Sequence, residues 1–157
     1  MSIKIDQLKK AIEEVLDYLN LNSLSAVNLL LGTAAQESRL GEYIEQVNGP
    51  ALGIFQMEPK TEIDIFRNFL TYNKGLDFKI TGLIYLESLN SLPALKYSLA
   101  YQIAMCRIHY LRVKEKLPAH DDIKGLARYW KKYYNTKLGK GTENEFIENY
   151  FWLIPDK

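Results

Sequence analysis

The sequence predicts a mainly α-helical single domain with a buried central helix and one turn-rich loop. Three observations predict it. Apolar residues recur at helical spacing through most of the 157 positions. One stretch, Leu24 to Ser38, is apolar on nearly every side until Glu37. The periodicity lapses between Leu40 and Pro59, where Gly41, Asn48, Gly49, Pro50 and Gly53 gather. A chain of this length can bury a proper core as one domain.

The first helix follows from Ile5, Leu8, Ile12, Val15, Leu16 and Leu19, which share one face opposite Lys9, Lys10, Glu13, Glu14 and Asp17. Asn20 to Ser25 supplies loop and cap residues, with Ser23 or Ser25 placed to start the central helix. The Leu40–Pro59 connection is long for a compact domain, a length often kept for function, and has room for a short hairpin. Thr61 with Asp64 predicts a third helix to about Tyr72, and a fourth covers about Ile80 to Leu89. Pro93 suits a first turn and opens a long apolar helix, Ala94 to Lys116, ended by Pro118. Asp121-Asp122 and Lys131-Lys132 flank the next helix in the sense its dipole favours. Thr142-Glu143-Asn144-Glu145 is a capping-box pattern for a last helix to about Trp152. No repeat and no low-complexity linker interrupts the series.

Composition narrows the function. Hydrophobic residues at 47% and charged ones at 25% suit a globular protein rather than a disordered one. A net charge of +1 gives no nucleic-acid footprint, and Lys131-Lys132, Lys137 and Lys140 read as solvated helix ends. Cys106, the single cysteine, lies among Ile103, Ala104 and Ile108 and reads as a buried core thiol. No stretch is apolar enough to span a bilayer, and Met1 to Asp6 lacks the pattern of a signal peptide. A substrate outside the cytoplasm would therefore require delivery by another protein. His109 and His120 do not make a metal-ligand pattern, so neither metal nor cofactor is expected. Gly139-Lys140-Gly141-Thr142 lacks the spacing of a phosphate loop and reads as a turn.

Glu37 is the candidate for chemistry. A carboxylate at the end of an apolar helix is costly to keep ionised, so its pKa should rise. An acid that stays protonated near neutral pH is what a glycosidase needs to protonate a leaving sugar oxygen. Gly53-Ile54-Phe55-Gln56-Met57-Glu58-Pro59 could then wall a cleft. Eleven tyrosines suit a saccharide cleft, and suit an ordinary core and rim as well.

Ala34-Ala35-Gln36-Glu37-Ser38, followed by Gly53-Ile54-Phe55-Gln56-Met57-Glu58-Pro59-Lys60-Thr61, resembles the paired signature of the soluble lytic transglycosylases, relatives in fold of goose-type lysozyme. That family has a Glu-Ser at a helix end and then a Gly-x-x-Gln-x-x-Pro-x-Thr stretch. The resemblance covers about Leu29 to Asn135 and implies a lysozyme-like domain in which the turn-rich loop belongs to the active site. It gives Glu37 the role of catalytic acid and base, and places Ser38, Gln56 and Met57 along the saccharide. The family also has a Tyr-Leu in a long helix, then an Ala-Tyr-Asn-Ala-Gly whose Tyr bonds the catalytic Glu. Tyr110-Leu111 and Ala127-Arg128-Tyr129 match at similar spacing, which makes Tyr129 the expected partner of Glu37. After that Tyr the pattern departs, with Trp130-Lys131-Lys132 in place of Asn-Ala-Gly. Tyr133-Tyr134-Asn135 is a rival match, so Tyr134 and Asn135 are substrate-site candidates too. The stretch Tyr129 to Thr142 resembles lysozyme-like proteins of bacteriophages.

The resemblance implies peptidoglycan glycan strands as substrate, cut between N-acetylmuramic acid and N-acetylglucosamine. A lytic transglycosylase uses one carboxylate as acid and then as base, closing a 1,6-anhydro ring without water. A hydrolytic lysozyme would need a group to place a water, for which Glu42, Glu45, Glu58, Glu62 and Asp64 are candidates. The remaining alternative is a virion structural or assembly protein that keeps the fold without turnover, its partners being other virion proteins.

Overall fold

The computed structural model describes residues 2–87 and 93–155. Among them are eight α-helices and no strand. The first, α1 (Ile5–Leu19), buries Leu8, Ile12, Leu16 and Leu19, the stripe its periodicity predicts, and ends at Asn20 in the left-handed conformation. The central helix, α2 (Leu24–Ser38), begins where Ser23 accepts a bond from the Ala26 amide at 3.1 Å. It is buried from Leu29 through Ala35 and packs most extensively against α8 (Glu143–Leu153). Its mid-helix buried hydroxyl is satisfied: Thr33 Oγ1 lies 2.8 Å from both the Leu29 carbonyl and the Tyr110 hydroxyl.

Between them lie α3 (Pro59–Asn68), a 3₁₀ turn (Leu70–Tyr72), α4 (Lys74–Glu87), α5 (Ala94–Tyr97), α6 (Leu99–Leu111) and α7 (Ile123–Trp130). Several boundaries differ from the sequence expectation. Pro59 occupies the first turn of α3, so that helix starts before Thr61. Likewise α4 starts at Lys74, ahead of Ile80, while its expected end at Leu89 lies outside the described residues. The long helix expected from Ala94 to Lys116 is two helices. Ser98 is extended, breaks the run, and caps α6 by accepting from the Tyr101 amide at 3.1 Å. Downstream, α6 stops at Leu111.

Two buried clusters share α6. Ile103, Cys106 and Tyr110 face the cluster built on α1, α2, α7 and α8. Tyr101, Ala104, Met105 and Ile108 face a second one with Met57, Ile65, Leu70, Ile80 and Leu95. A helix packed on both sides has no polar face, which is why this stretch reads as a continuous apolar run. At the end of the chain, Thr142 and Glu145 form the expected capping box, each bonding the other's backbone amide. Where the long loop had room for a short hairpin it makes two isolated bridges, Glu45 with Leu52 and Leu52 with Met57. No helix among the described residues is long and apolar enough to cross a membrane.

Candidate active site

The site forms where α2 ends. Arg39, Leu40 and Gly41 all have positive φ, at 52°, 60° and 87°, so the chain reverses within a few residues of Glu37. Ser38 anchors this reversal to the loop. Its hydroxyl donates to the Ile54 carbonyl at 2.6 Å and accepts from the Gly41 amide at 2.9 Å. Ile54 is held from the other side, its amide donating to Gln102 Oε1 at 2.8 Å, while Gln102 Nε2 reaches the Lys96 carbonyl at 3.0 Å. Gly53 has φ +75°, and a Cβ there would stand 2.5 Å from the Leu95 carbonyl oxygen, so only glycine fits. These bonds fix an otherwise irregular loop against α2 and α6, as buried backbone groups require.

Glu37 sits at the wall of an open cavity of about 800 Å³ between this loop and the segment 130–141. Its Oε1 accepts from Trp130 Nε1 at 2.9 Å. Part of the side chain faces the cavity, but protein surrounds most of the carboxyl. Burial raises its pKa from 4.5 to about 7, and the Trp130 bond, which favours the ionised form, pulls less strongly the other way. A carboxyl poised there can give a proton and then take one back near neutral pH.

Trp130 ends α7 and is fully buried, its ring centroid 5.3 Å from that of Phe146. Beyond it the backbone widens into a π turn, Lys131–Asn135, closed by Thr136 at φ +65°. Such turns redirect side chains and are common at functional sites. This one brings Tyr134 and Asn135 to the cavity. The Tyr134 hydroxyl donates to the Phe55 carbonyl at 2.7 Å, tying the turn to the loop, and Asn135 Oδ1 accepts from Lys131 Nζ at 2.6 Å. Burial pushes the Tyr134 hydroxyl well above its ordinary pKa, so it stays neutral. Behind it lies His109, edge-on at 5.0 Å, whose pKa burial and Arg112 lower to about 4. It is a neutral structural side chain accepting from Arg112 at 2.8 Å.

Of the residues singled out from sequence, Glu37, Gln56, Tyr134 and Asn135 line the cavity. Three do not. Ser38 is fully buried and its hydroxyl is engaged with backbone. Met57 is buried in the second cluster, turned inward by the Leu52–Met57 bridge. Tyr129, expected to bond Glu37, instead donates to the Glu115 carbonyl at 2.9 Å. On a helix one residue is a rotation of about 100°, so Tyr129 and Trp130 cannot face the same carboxyl. The expected bond is made one residue later, by an indole N–H. A buried tryptophan needs an acceptor for that N–H, which is the signal that could have found it.

Gln36, whose Oε1 accepts from Asn149 at 2.7 Å, also lines the cavity, as do Tyr43, Gln46 and Leu138 to Gly141. The last of these belong to the turn before α8 and carry no motif. Of the five further carboxylates considered, Glu45 and Glu58 reach the cavity wall, each ion-paired, with Lys96 at 2.8 Å and Lys60 at 2.7 Å. Glu62 is bonded to Tyr101, Glu42 lies 3.9 Å from Arg39, and Asp64 is bonded to Arg112. Among the described residues no three His, Cys, Asp or Glu side chains gather as a metal-binding group. Neither family models, nor curated proteins, nor solved structures give a match to this chain.

Proposed function

We propose that this protein is a lytic transglycosylase that cleaves peptidoglycan glycan strands on a lysozyme-like fold, with Glu37 as its acid and base. The observation that carries the reading is a single one. A carboxyl with its pKa raised to about 7, fixed by an indole N–H, opens onto a cavity large enough for sugar rings. The Glu-Ser and Gly-x-x-Gln motifs that resemble the transglycosylases converge there, one supplying the acid and the other Gln56 in the wall.

The chemistry follows from one carboxyl used twice. Protonated Glu37 gives its proton to the oxygen linking N-acetylmuramic acid to N-acetylglucosamine, and the bond to the anomeric carbon breaks. The carboxylate left behind takes the proton from the muramic acid 6-hydroxyl as that oxygen closes on the same carbon. Glu37 ends protonated, ready for another turn. Trp130 holds one carboxyl oxygen and leaves the other for the sugar.

A second reading is favoured by Glu45 and Glu58, which line the same cavity. Either could place a water opposite Glu37, making the enzyme a hydrolytic lysozyme. Digestion of purified cell walls in oxygen-18 water separates the readings by mass spectrometry. Unlabelled 1,6-anhydromuramyl ends are expected; labelled reducing ends would establish hydrolysis. An intact wall would leave the non-catalytic virion-protein reading. Glu37→Gln should retain the fold and lose activity by a factor on the order of 100 to 10,000. The proposal has the protein act on the cell wall, as part of a phage virion or as a lysis enzyme.

A further inference from the structure

Beside the Glu37 cavity lies a second, more open hollow of about 430 Å³, bounded by the start of α8 and the π turn. The two are contiguous, since Lys140 and Gly141 belong to both walls. Their charges differ. On the loop side of the main cavity, Glu45 and Glu58 are each neutralised by a lysine. At the hollow, two ammonium groups, Lys131 and Lys140, face one carboxylate, Glu143. None of these three has an ion-pair partner among the described residues. Lys131 donates to Asn135 Oδ1 and to the Gly139 carbonyl at 2.9 Å, both neutral acceptors, which leaves its charge uncompensated and its third N–H unused. At the start of α8 the capping box takes up the Thr142 and Glu145 amides, so the lysine side chains are the charged donors of the hollow.

We propose that this hollow takes a carboxylate-bearing substituent of the glycan strand, so that the site recognises muramic acid with its acidic peptide attached rather than a bare sugar chain. The inference rests on the glycan-cleaving reading for its ligand, and supplies what that reading lacks, a reason for the strand to bind in one direction. Muramic acid differs from glucosamine in carrying a lactyl group from which an acidic peptide extends. Sugar rings in the main cavity would send such a branch toward one wall, and the Lys131–Lys140 wall is the one whose positive charge is not already neutralised. With two ammonium groups against the single Glu143 carboxylate, this concave wall is net positive and favours a carboxylate there. Lys131, fixed by its two bonds, supplies a preorganised donor, and exposed Lys140 supplies a mobile one.

The test uses two probes that differ only in charge: N-acetylmuramyl-L-alanyl-D-isoglutamine, which has a free carboxylate, and its neutral methyl ester. Neither contains a bond that the enzyme could cut, so calorimetric titration of the wild-type protein reads binding without turnover. The acid is expected to bind about five-fold more tightly than the ester, the size of one partly exposed charge contact. That preference should shrink in high salt, vanish in Lys140→Glu and survive in Lys140→Arg. Equal binding of acid and ester, no binding of either, or a preference that persists in Lys140→Glu would overturn the proposal. If the preference holds while purified cell walls stay intact, the cleavage reading falls and the anion site remains. If walls are cut and the preference is absent, the anion site alone falls.

Discussion

At the residue scale the decisive contact is Trp130 Nε1 to Glu37 Oε1. Two opposing effects meet at that carboxyl. Burial raises its pKa and the indole N–H lowers it, and burial wins by enough to leave the pKa at about 7. Activity that needs protonated Glu37 should therefore decline as pH rises through about 7. Trp130→Phe keeps most of the ring and removes the N–H. A bond that favours the ionised form is lost, so the alkaline limb of kcat/KM should move upward, by about one pH unit for a hydrogen bond to a charged group. If Trp130 served only to exclude water, the smaller ring would admit solvent and the limb would move down. The direction of the shift in a pH–rate profile thus separates a positioning residue from a packing one.

At the element scale, α2 packs against α8 at Gly32. A Cβ on Gly32 would lie 2.3 Å from Phe146 Cζ and 3.1 Å from Tyr150 Cδ2. Phe146 has nowhere to retreat, being fully buried against Trp130 and Tyr150. Alanine is the better helix former by about 1 kcal/mol, but overpacking costs about 1–3 kcal/mol and should win. Gly32→Ala is expected to lower Tm, and a raised Tm would show that the two helices can separate freely. The sequence is explicit about this architecture where the signals are local. The stripe of α1, the Ser23 cap, the apolar length of α2 and the Thr142 capping box are all readable in the residues that form them. It is silent where distant partners decide. The break at Ser98 depends on Gln102 reaching back to Lys96 and across to Ile54. The π turn depends on Tyr134 finding the Phe55 carbonyl. For the same reason Glu37 and Gln56 could be found from motif spacing, whereas Trp130, one helical step from the expected Tyr129, could not.

For the molecule as a whole, a carboxyl kept mostly buried is a stability cost, and the cost has a pH signature. Glu37 holds its proton up to about pH 7 when folded, against an ordinary value of 4.5 for the unfolded chain. Between those limits the folded state binds more protons, so its stability should fall as pH rises through this window and then level off. The full shift corresponds to about 3 kcal/mol. Water in the open cavity solvates part of the ionised carboxylate, so the realised cost is set at about 1–3 kcal/mol. The amide introduced by Glu37→Gln stays neutral at every pH, and its oxygen can still accept from Trp130. The variant should therefore match wild type near pH 4.5 and exceed it above pH 7 by that margin, while losing its activity on cell walls. Urea denaturation of both proteins at about pH 5 and about pH 8, on either side of the Glu37 transition, measures the difference. Curves that stay superimposed at both values would mean that the Glu37 carboxyl is ordinary, and a gain largest at the lower pH would reverse the sign of the argument.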